Sequence, residues 1–299
     1  MKINVHVDCD PLWVYANEYG AAPDYEDNRI YEEAARRFLD VFAEFNVRAT
    51  FFLIGRELTL PGCVQFCKAA IDAGHEIGNH TLSHLPALHA AGPDARRREI
   101  VECDRLIREV LRYDCRALRM PGYYFDREVA DILAELNYYY DTSILPGLGI
   151  YLMTAAFRLL NPSGAGKRFG RGWYLFARRS PHRISPRSAG GCWEVPISTF
   201  PLLGLPIHST FAFQWGIAYF ELALRLSRVF RSHVIYVFHL LDLVESGNTG
   251  ILKERVATLK VPLGDRLEMM RRMLELLARG GVGTTRELIE ERIQAGRAE

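Results

Sequence analysis

The sequence predicts an α/β protein built on a parallel sheet, and three observations carry that expectation. Short apolar or alternating runs recur at 3–10, 47–54, 75–80, 116–121, 138–143, 192–198 and 233–239. Amphipathic helical stretches lie between them, among them YEEAARRFLDVFAEF (31–45), DARRREIVECDRLIREVL (94–111) and DREVADILAEL (126–136). Roughly seven strand–helix alternations in one chain favour a sheet closed into a barrel.

Each element has a local reason. In NVHVDCD, side chains two apart share a face, so Asp8 and Asp10 point one way and Val5, Val7 and Cys9 the other. His6 shares the Asp8 face and is expected to fill the barrel interior. Pro93 and Asp94 open the helix at 94–111, and Gly74 closes the helix before the third strand. The span 144–191 breaks the rhythm. It begins ILPGLGIYLMTAAFRLL, apolar and amphipathic, then turns rich in Gly, Arg and Ser, and it is too long for an ordinary connection. The expectation is one domain over 1–299 with 144–191 inserted in it. A second apolar and basic helix follows at 215–231, WGIAYFELALRLSRVFR.

Bulk properties exclude several classes. Hydrophobic residues at 49% and charged residues at 24% describe an ordinary globular chain, not a disordered one. No apolar run is long enough to span a bilayer. Residues 1–10 read as a strand, with no basic and apolar leader before them, so a cytoplasmic protein is expected. The six cysteines include no CxxC, which fits reduced thiols. The net charge of +1 hides an asymmetry. From Thr142 to Phe220 the only acid is Glu194, against Arg158, Lys167, Arg168, Arg171, Arg178, Arg179, Arg183 and Arg187. Such a span suits phosphates or an anionic lipid surface. Core packing beneath a solvated basic loop is the plainer alternative.

The stretch GNHTLSHL (78–85) sets His80 and His84 four apart, which on a helical turn would stack both imidazoles over one ion. A zinc-protease reading fails, because Thr81 stands where the glutamate belongs. A satisfied histidine pair remains the bland alternative, as a capped turn does for the Asp8/Asp10 pair. Together the two motifs say more. One carboxylate and two imidazoles make a three-ligand set with an open position, as in catalytic zinc sites. The second carboxylate is then free to accept a proton. His75, His89, His182, His208 and His233 carry no motif.

VDCD (7–10), HTLSH (80–84), RMPG (119–122), CWEVP (192–196) and VFHLLDL (237–243) occur in that order. In this the chain resembles the polysaccharide deacetylases, the NodB-homology members of carbohydrate esterase family 4. Its DxD spacing is similar to the branch that holds peptidoglycan deacetylase-like proteins and deformylases of lipid-linked aminoarabinose. The resemblance implies a distorted (β/α)7-type barrel. It implies Asp8 as catalytic base, Asp10, His80 and His84 as metal ligands, and Arg119 as the partner that directs the base. His239 would protonate the leaving amine, and the backbone at Gly122 and Tyr123 would face the oxyanion. Two motifs depart from the family. Gly122 stands where many members have Tyr, and CWEVP lacks the Asp that orients the acid histidine. Glu194 is the substitute the motif offers, and Asp242 competes with it. Trp193 is either an apolar wall for the acyl group or a plain core residue.

These residues lead to an expected metal-dependent N-deacylase, a deacetylase or deformylase of an amino sugar, holding one divalent ion. Zinc heads the candidates, and a His2Asp set also accepts cobalt or nickel. With no leader visible, a polyprenyl-phosphate-linked precursor at the inner membrane face is the expected substrate. Arg168, Arg171, Arg178 and Arg179 would meet its phosphate or an anionic membrane, giving peripheral attachment. Hydrolysis of a cyclic or other amide is the alternative, and a non-catalytic glycan-binding scaffold ranks below it. Nucleic acid is not an expected partner, because the arginines lie in one insertion without a recognised module.

Overall fold

All six residues of the first strand, Ile3–Asp8 (β1), are buried, so this strand has neighbours on both faces and both edges. In the computed structural model, which describes residues 2–85, 88–160, 172–184, 192–200, 204–230 and 233–295, β1 lies deep in an eight-stranded sheet. The other strands are Ala49–Leu53 (β2), Glu76–Asn79 (β3), Ala117–Leu118 (β4), Tyr140–Asp141 (β5), His182–Ile184 (β6), Cys192–Glu194 (β7) and Val234–His239 (β8). Their order is β6-β7-β5-β4-β3-β2-β1-β8. Every pairing is parallel except β6 with β7. Seven of the eight fall within the expected runs. The eighth, β6, arises inside the inserted span as an antiparallel edge.

The sheet curls into a half-barrel of the expected distorted (β/α) kind. Beyond β7 the chain reaches back to β8: the Ser198 N–H donates to Ile235 O at 3.4 Å, and the Ile235 N–H donates to Ser198 Oγ at 2.8 Å. Helices cover the convex face. Ile30–Ala35 is a π-helical turn running into Arg36–Glu44, and Phe38 and Phe42 from this pair pack on Phe238. Pro93–Leu111 starts with proline in its first turn, where a missing N–H costs nothing. Arg127–Glu135 is capped by Asp126, which accepts the Val129 N–H at 3.0 Å. All six cysteines are buried and unpaired.

Register sorts the side chains. His6 and Asp8 share the concave face with Thr50, Phe52, Glu76, Gly78, Tyr140, Trp193 and His239; Val7, Leu53, Asn79, Leu118, Asp141 and Glu194 take the other. The concave face is polar and plugged. His6 Nε2 meets Thr285 Oγ1 at 2.7 Å, and Glu76 accepts from Thr50 Oγ1 and the Tyr140 hydroxyl, both at 2.8 Å. The expectation that His6 fills the interior holds.

Candidate active site

The DxD pair sits at the carboxyl end of β1, where barrel enzymes assemble their chemistry. Asp8 is the last residue of the strand, and Cys9 still donates to Phe52 O at 2.9 Å, so Asp10 is aimed by sheet geometry. His80 follows β3 directly. The two histidines are not on a helical turn: residues 80–84 form a bent loop, with Thr81 at φ 68° and His84 at φ 47°. A left-handed β-branched residue costs about 1–3 kcal/mol and persists only where its surroundings dictate it. Here they do. Thr81 N–H bonds to Asn79 Oδ1 at 2.8 Å, Gly55 and Arg56 donate to Thr81 O and Leu82 O at 2.9 Å, and Glu99 accepts from Ser83 N–H and Oγ at 2.8 and 2.7 Å.

The loop brings the imidazoles together with ring centroids 5.3 Å apart. Nε2 of His80 and of His84 lie 3.4 and 3.6 Å from the same atom, Asp10 Oδ1. Those distances are too long for good hydrogen bonds, and that buried oxygen has no hydrogen-bond partner. One candidate ligand atom from each residue lies within 4.8 Å of the others. An orphaned carboxylate oxygen facing two imidazoles is the donor set a divalent cation takes. Burial pushes the Asp10 carboxyl up, but His84 and His80 outweigh it and hold it well below the usual range. Burial also opposes charge on His80, and Asp10 overrides that and raises it. His80 Nδ1 donates to Arg119 O at 2.6 Å, leaving Nε2 to face the centre, the usual support for a ligating histidine.

Asp8 stands beside this set. Arg119 Nη1 donates to Asp8 Oδ1 at 2.8 Å, and His239 Nε2 lies 3.9 Å from Asp8 Oδ2. The guanidinium is itself held: Nη2 donates to His6 Nδ1 at 2.5 Å and Thr142 Oγ1 at 3.2 Å, and its carbon lies 4.6 Å over Phe52. Gly78 makes that stack possible, because a Cβ there would stand 2.6 Å from the Phe52 ring. The turn Pro121–Tyr123 continues from Arg119 with Gly122 and Tyr123 both left-handed, at φ 65° and 59°. Burial, and then the charge of Asp8, push the Tyr123 phenol upward.

One expected residue lies elsewhere. Glu194 is on the opposite face of the sheet from His239, so it cannot orient that ring. It pairs across the ladder with Asp141 and accepts the Ile144 N–H at 3.2 Å. Asp242 meets His239 twice: its backbone N–H donates to the His239 ring, and its carboxylate accepts the backbone N–H of His239 at 2.9 Å. Trp193 is on the concave face, with its ring 5.6 Å from the Arg183 guanidinium and 5.5 Å from that of Arg292. Arg178 and Arg179 are exposed, while Arg168 and Arg171 lie outside the described residues.

Other residues at the site carry no motif. His208 stacks edge-on against His239 with centroids 5.9 Å apart, and both of its buried ring nitrogens lack partners. It comes from a distant segment, so only the bridge between His208 and Val237 of β8 reveals it. Tyr15 lies in the helix Leu12–Tyr19 that follows Asp10; burial, then the charge of Asp10, push its phenol well above its ordinary value. Its place five residues after Asp10 was the available signal. Beneath the RMPG turn, Met120 N–H donates to Ser143 Oγ at 2.8 Å, and Ser143 donates to Asp141 at 2.7 Å.

Residues 24–140 match the family model described as polysaccharide deacetylase. A peptidoglycan-N-acetylglucosamine deacetylase of Bacillus cereus is 34% identical over 90 residues, covering 30% of this chain and 31% of that protein. A chitooligosaccharide deacetylase of Sinorhizobium fredii is 41% identical over 70 residues, covering 23% and 31%. The matches thus span about a third of those curated relatives. In fold, a protein of Mycobacterium smegmatis assigned to the polysaccharide deacetylases superposes with a TM-score of 0.63 over 98% of this chain and 91% of that one, at 16% identity. With its motifs in order, the chain is similar to the polysaccharide deacetylases over residues 24–140 and shares the fold of the Mycobacterium smegmatis protein.

Proposed function

We propose that the chain is a metal-dependent N-deacylase that removes an acetyl or formyl group from an amino sugar. The observation that carries this reading is the convergence of Asp10, His80 and His84 on one point, with Asp8 and His239 beside them. The relatives named above act, by their names, on peptidoglycan N-acetylglucosamine and on chito-oligosaccharide. Asp10, His80 and His84 would hold a divalent ion, zinc or else cobalt or nickel, which when bound supplies Lewis acidity at the acyl carbonyl and a more acidic water.

The remaining steps fall to the chain itself. Asp8, steered by Arg119, accepts the proton of the attacking water at its free oxygen. His239 gives a proton to the sugar nitrogen as the amide C–N bond breaks. The N–H groups of the left-handed turn at Gly122 and Tyr123 stabilise the developing oxyanion. The one-sided charge of Thr142–Phe220 favours a substrate bearing phosphate, a polyprenyl-phosphate-linked sugar at the inner membrane face.

Mass spectrometry of lipid-linked sugars from cells with and without the gene tests reaction and substrate together. Growth of an N-acylated species on deletion is expected, with return to normal on complementation by the wild type. Complementation by Asp8→Asn or His239→Ala at full efficiency would remove the mechanism.

A further inference from the structure

We propose that Leu148, Leu152, Leu159, Trp173 and Phe176 present a surface that seats on an anionic bilayer, with a lipid phosphate held in a basic pocket at its edge. This deepens the lipid-linked reading above and names the partner surface. Phe176 is 86% exposed, Leu159 81%, Leu152 58%, Leu148 51% and Trp173 47%. Leu148, just before the helix Gly149–Leu160, and Leu152 and Leu159 within it are spaced four and seven apart and so share one face, and an exposed apolar face marks an interaction site. The face is built on a fixed frame. Gly147 N–H donates to Tyr174 O at 2.9 Å, the Tyr151 hydroxyl donates to Gly172 O, and buried Tyr174 packs edge-on to Trp173 at 4.6 Å.

The pocket adjoins this face through Gly147, whose Cβ, if it had one, would stand 3.4 Å from Arg179 Nη2. It is a cavity of about 160 Å³ lined by Arg179, Ser198, Thr199, Ser227, Phe230 and His233, with Ile197, and none of these is acidic. Thr199 is only 7% exposed, yet its hydroxyl has no partner, and neither does His233 Nε2. A guanidinium, a hydroxyl and an imidazole N–H around one cavity are complementary to a tetrahedral oxyanion.

Charge decides the occupant. The one acid of Thr142–Phe220, Glu194, is fully buried, so the exposed charges of the span, Arg178, Arg179 and Arg183 among the described residues, are positive. A second copy of the same face would bring like charges together, whereas an anionic lipid surface meets both the apolar and the basic side chains. No helix of the described residues is long and apolar enough to cross a membrane.

The test is sedimentation of the full-length, zinc-loaded protein with phosphatidylcholine vesicles, with and without phosphatidylglycerol. Wild type is expected to pellet only with the anionic vesicles. The Leu159→Ser/Phe176→Ser variant should bind at least about tenfold more weakly, and Arg179→Ala about fivefold more weakly, each with an unchanged melting temperature. Thr199→Val checks the pocket without changing charge and should also weaken binding. Equal binding to neutral vesicles, full binding by the apolar double variant, or a dimer that the double variant abolishes would each overturn the proposal. So would calorimetric binding of inorganic phosphate with no vesicle binding, which makes the pocket a free-phosphate site. Vesicle binding without turnover of a lipid-linked N-acylated sugar sinks the substrate reading and leaves the membrane seat; turnover without vesicle binding does the reverse.

Discussion

Arg119 Nη1 lies 2.8 Å from Asp8 Oδ1, and the two side chains are 1% and 7% exposed. A charge pair this deep persists because the guanidinium's other contacts are satisfied as well: it meets Asp8, His6, Thr142 and Phe52 at once. A lysine offers a point charge from a flexible stem and cannot serve all four. Arg119→Ala strands the Asp8 carboxylate and is expected to cost about 3–5 kcal/mol of stability by urea unfolding. Arg119→Lys should fold yet lose about a hundredfold in kcat, because a base displaced by an ångström is a poor one. Wild-type turnover in the lysine variant would remove Arg119 from its positioning role.

Zinc is expected to bind the folded protein and so raise its melting temperature. A ligand at a hundred times its dissociation constant adds about 2.7 kcal/mol. His84→Ala takes away one donor of three and leaves β1 and β3 untouched. Its melting curve should no longer respond to zinc or to a chelator, and its metal content by plasma mass spectrometry should fall well below one per chain. Identical zinc responses in the two proteins would show that the ion sits elsewhere.

What the sequence disclosed followed periodicity. The period-two pattern of NVHVDCD put Asp8 and Asp10 on one face, and β1 has that arrangement because a buried strand has no other way to place its polar side chains. The helix at 94–111 was legible from its proline start and amphipathic stripe. The histidine pair was found by its spacing, but its local geometry was misread. Backbone hydrogen bonds from Gly55 and Arg56 hold a loop that propensity alone would not select. Glu194 was misplaced because an order of motifs carries no parity. One residue of register separates the face of Trp193 from that of Glu194, and nothing in CWEVP says which side the catalytic strand ends share. His208 was invisible, since its neighbour His239 lies far along the chain and they meet only through the closure of the sheet.

His208 invites a test in which stability and activity part. Two buried nitrogens without partners cost about 1–3 kcal/mol each when left unsatisfied. Burial, and then His239 and Arg119, press its pKa far below the ordinary value, so the ring is neutral. Phenylalanine keeps the ring and deletes the nitrogens. His208→Phe is expected to raise the urea midpoint and to lower kcat about tenfold, through loss of the imidazole dipole packed edge-on beside the His239 ring. A variant both weaker and fully active would contradict this reading.

Asp141 and Glu194 are neighbours across the ladder on the buried side of the sheet, where two carboxyls so close and without solvent resist ionising together. Burial pushes Asp141 up to about 6, against the pull of Glu194 and Ser143. Burial and then the charge of Asp141 push Glu194 well above the ordinary carboxylate range. Both groups therefore hold protons more tightly in the native state than in the unfolded one. The sign follows: their contribution is fully present below the unfolded carboxyl pKa of about 4 and is lost as pH climbs through about 6 and on through the higher value of Glu194. Glu194→Gln keeps a donor to Asp141 and removes the titration. The difference between variant and wild-type stability should then rise with pH between acid and mildly alkaline solution, by at most about 1.4 kcal/mol per pH unit for one proton. Because Ser143 links Asp141 to the Met120 N–H, loosening of the pair should reach the RMPG turn as well. Amide exchange at Met120 is thus expected to quicken with pH in wild type beyond the intrinsic base-catalysed rise, and to follow only the intrinsic rate in Glu194→Gln. Parallel stability curves for the two proteins would show that the pair does not titrate in this way.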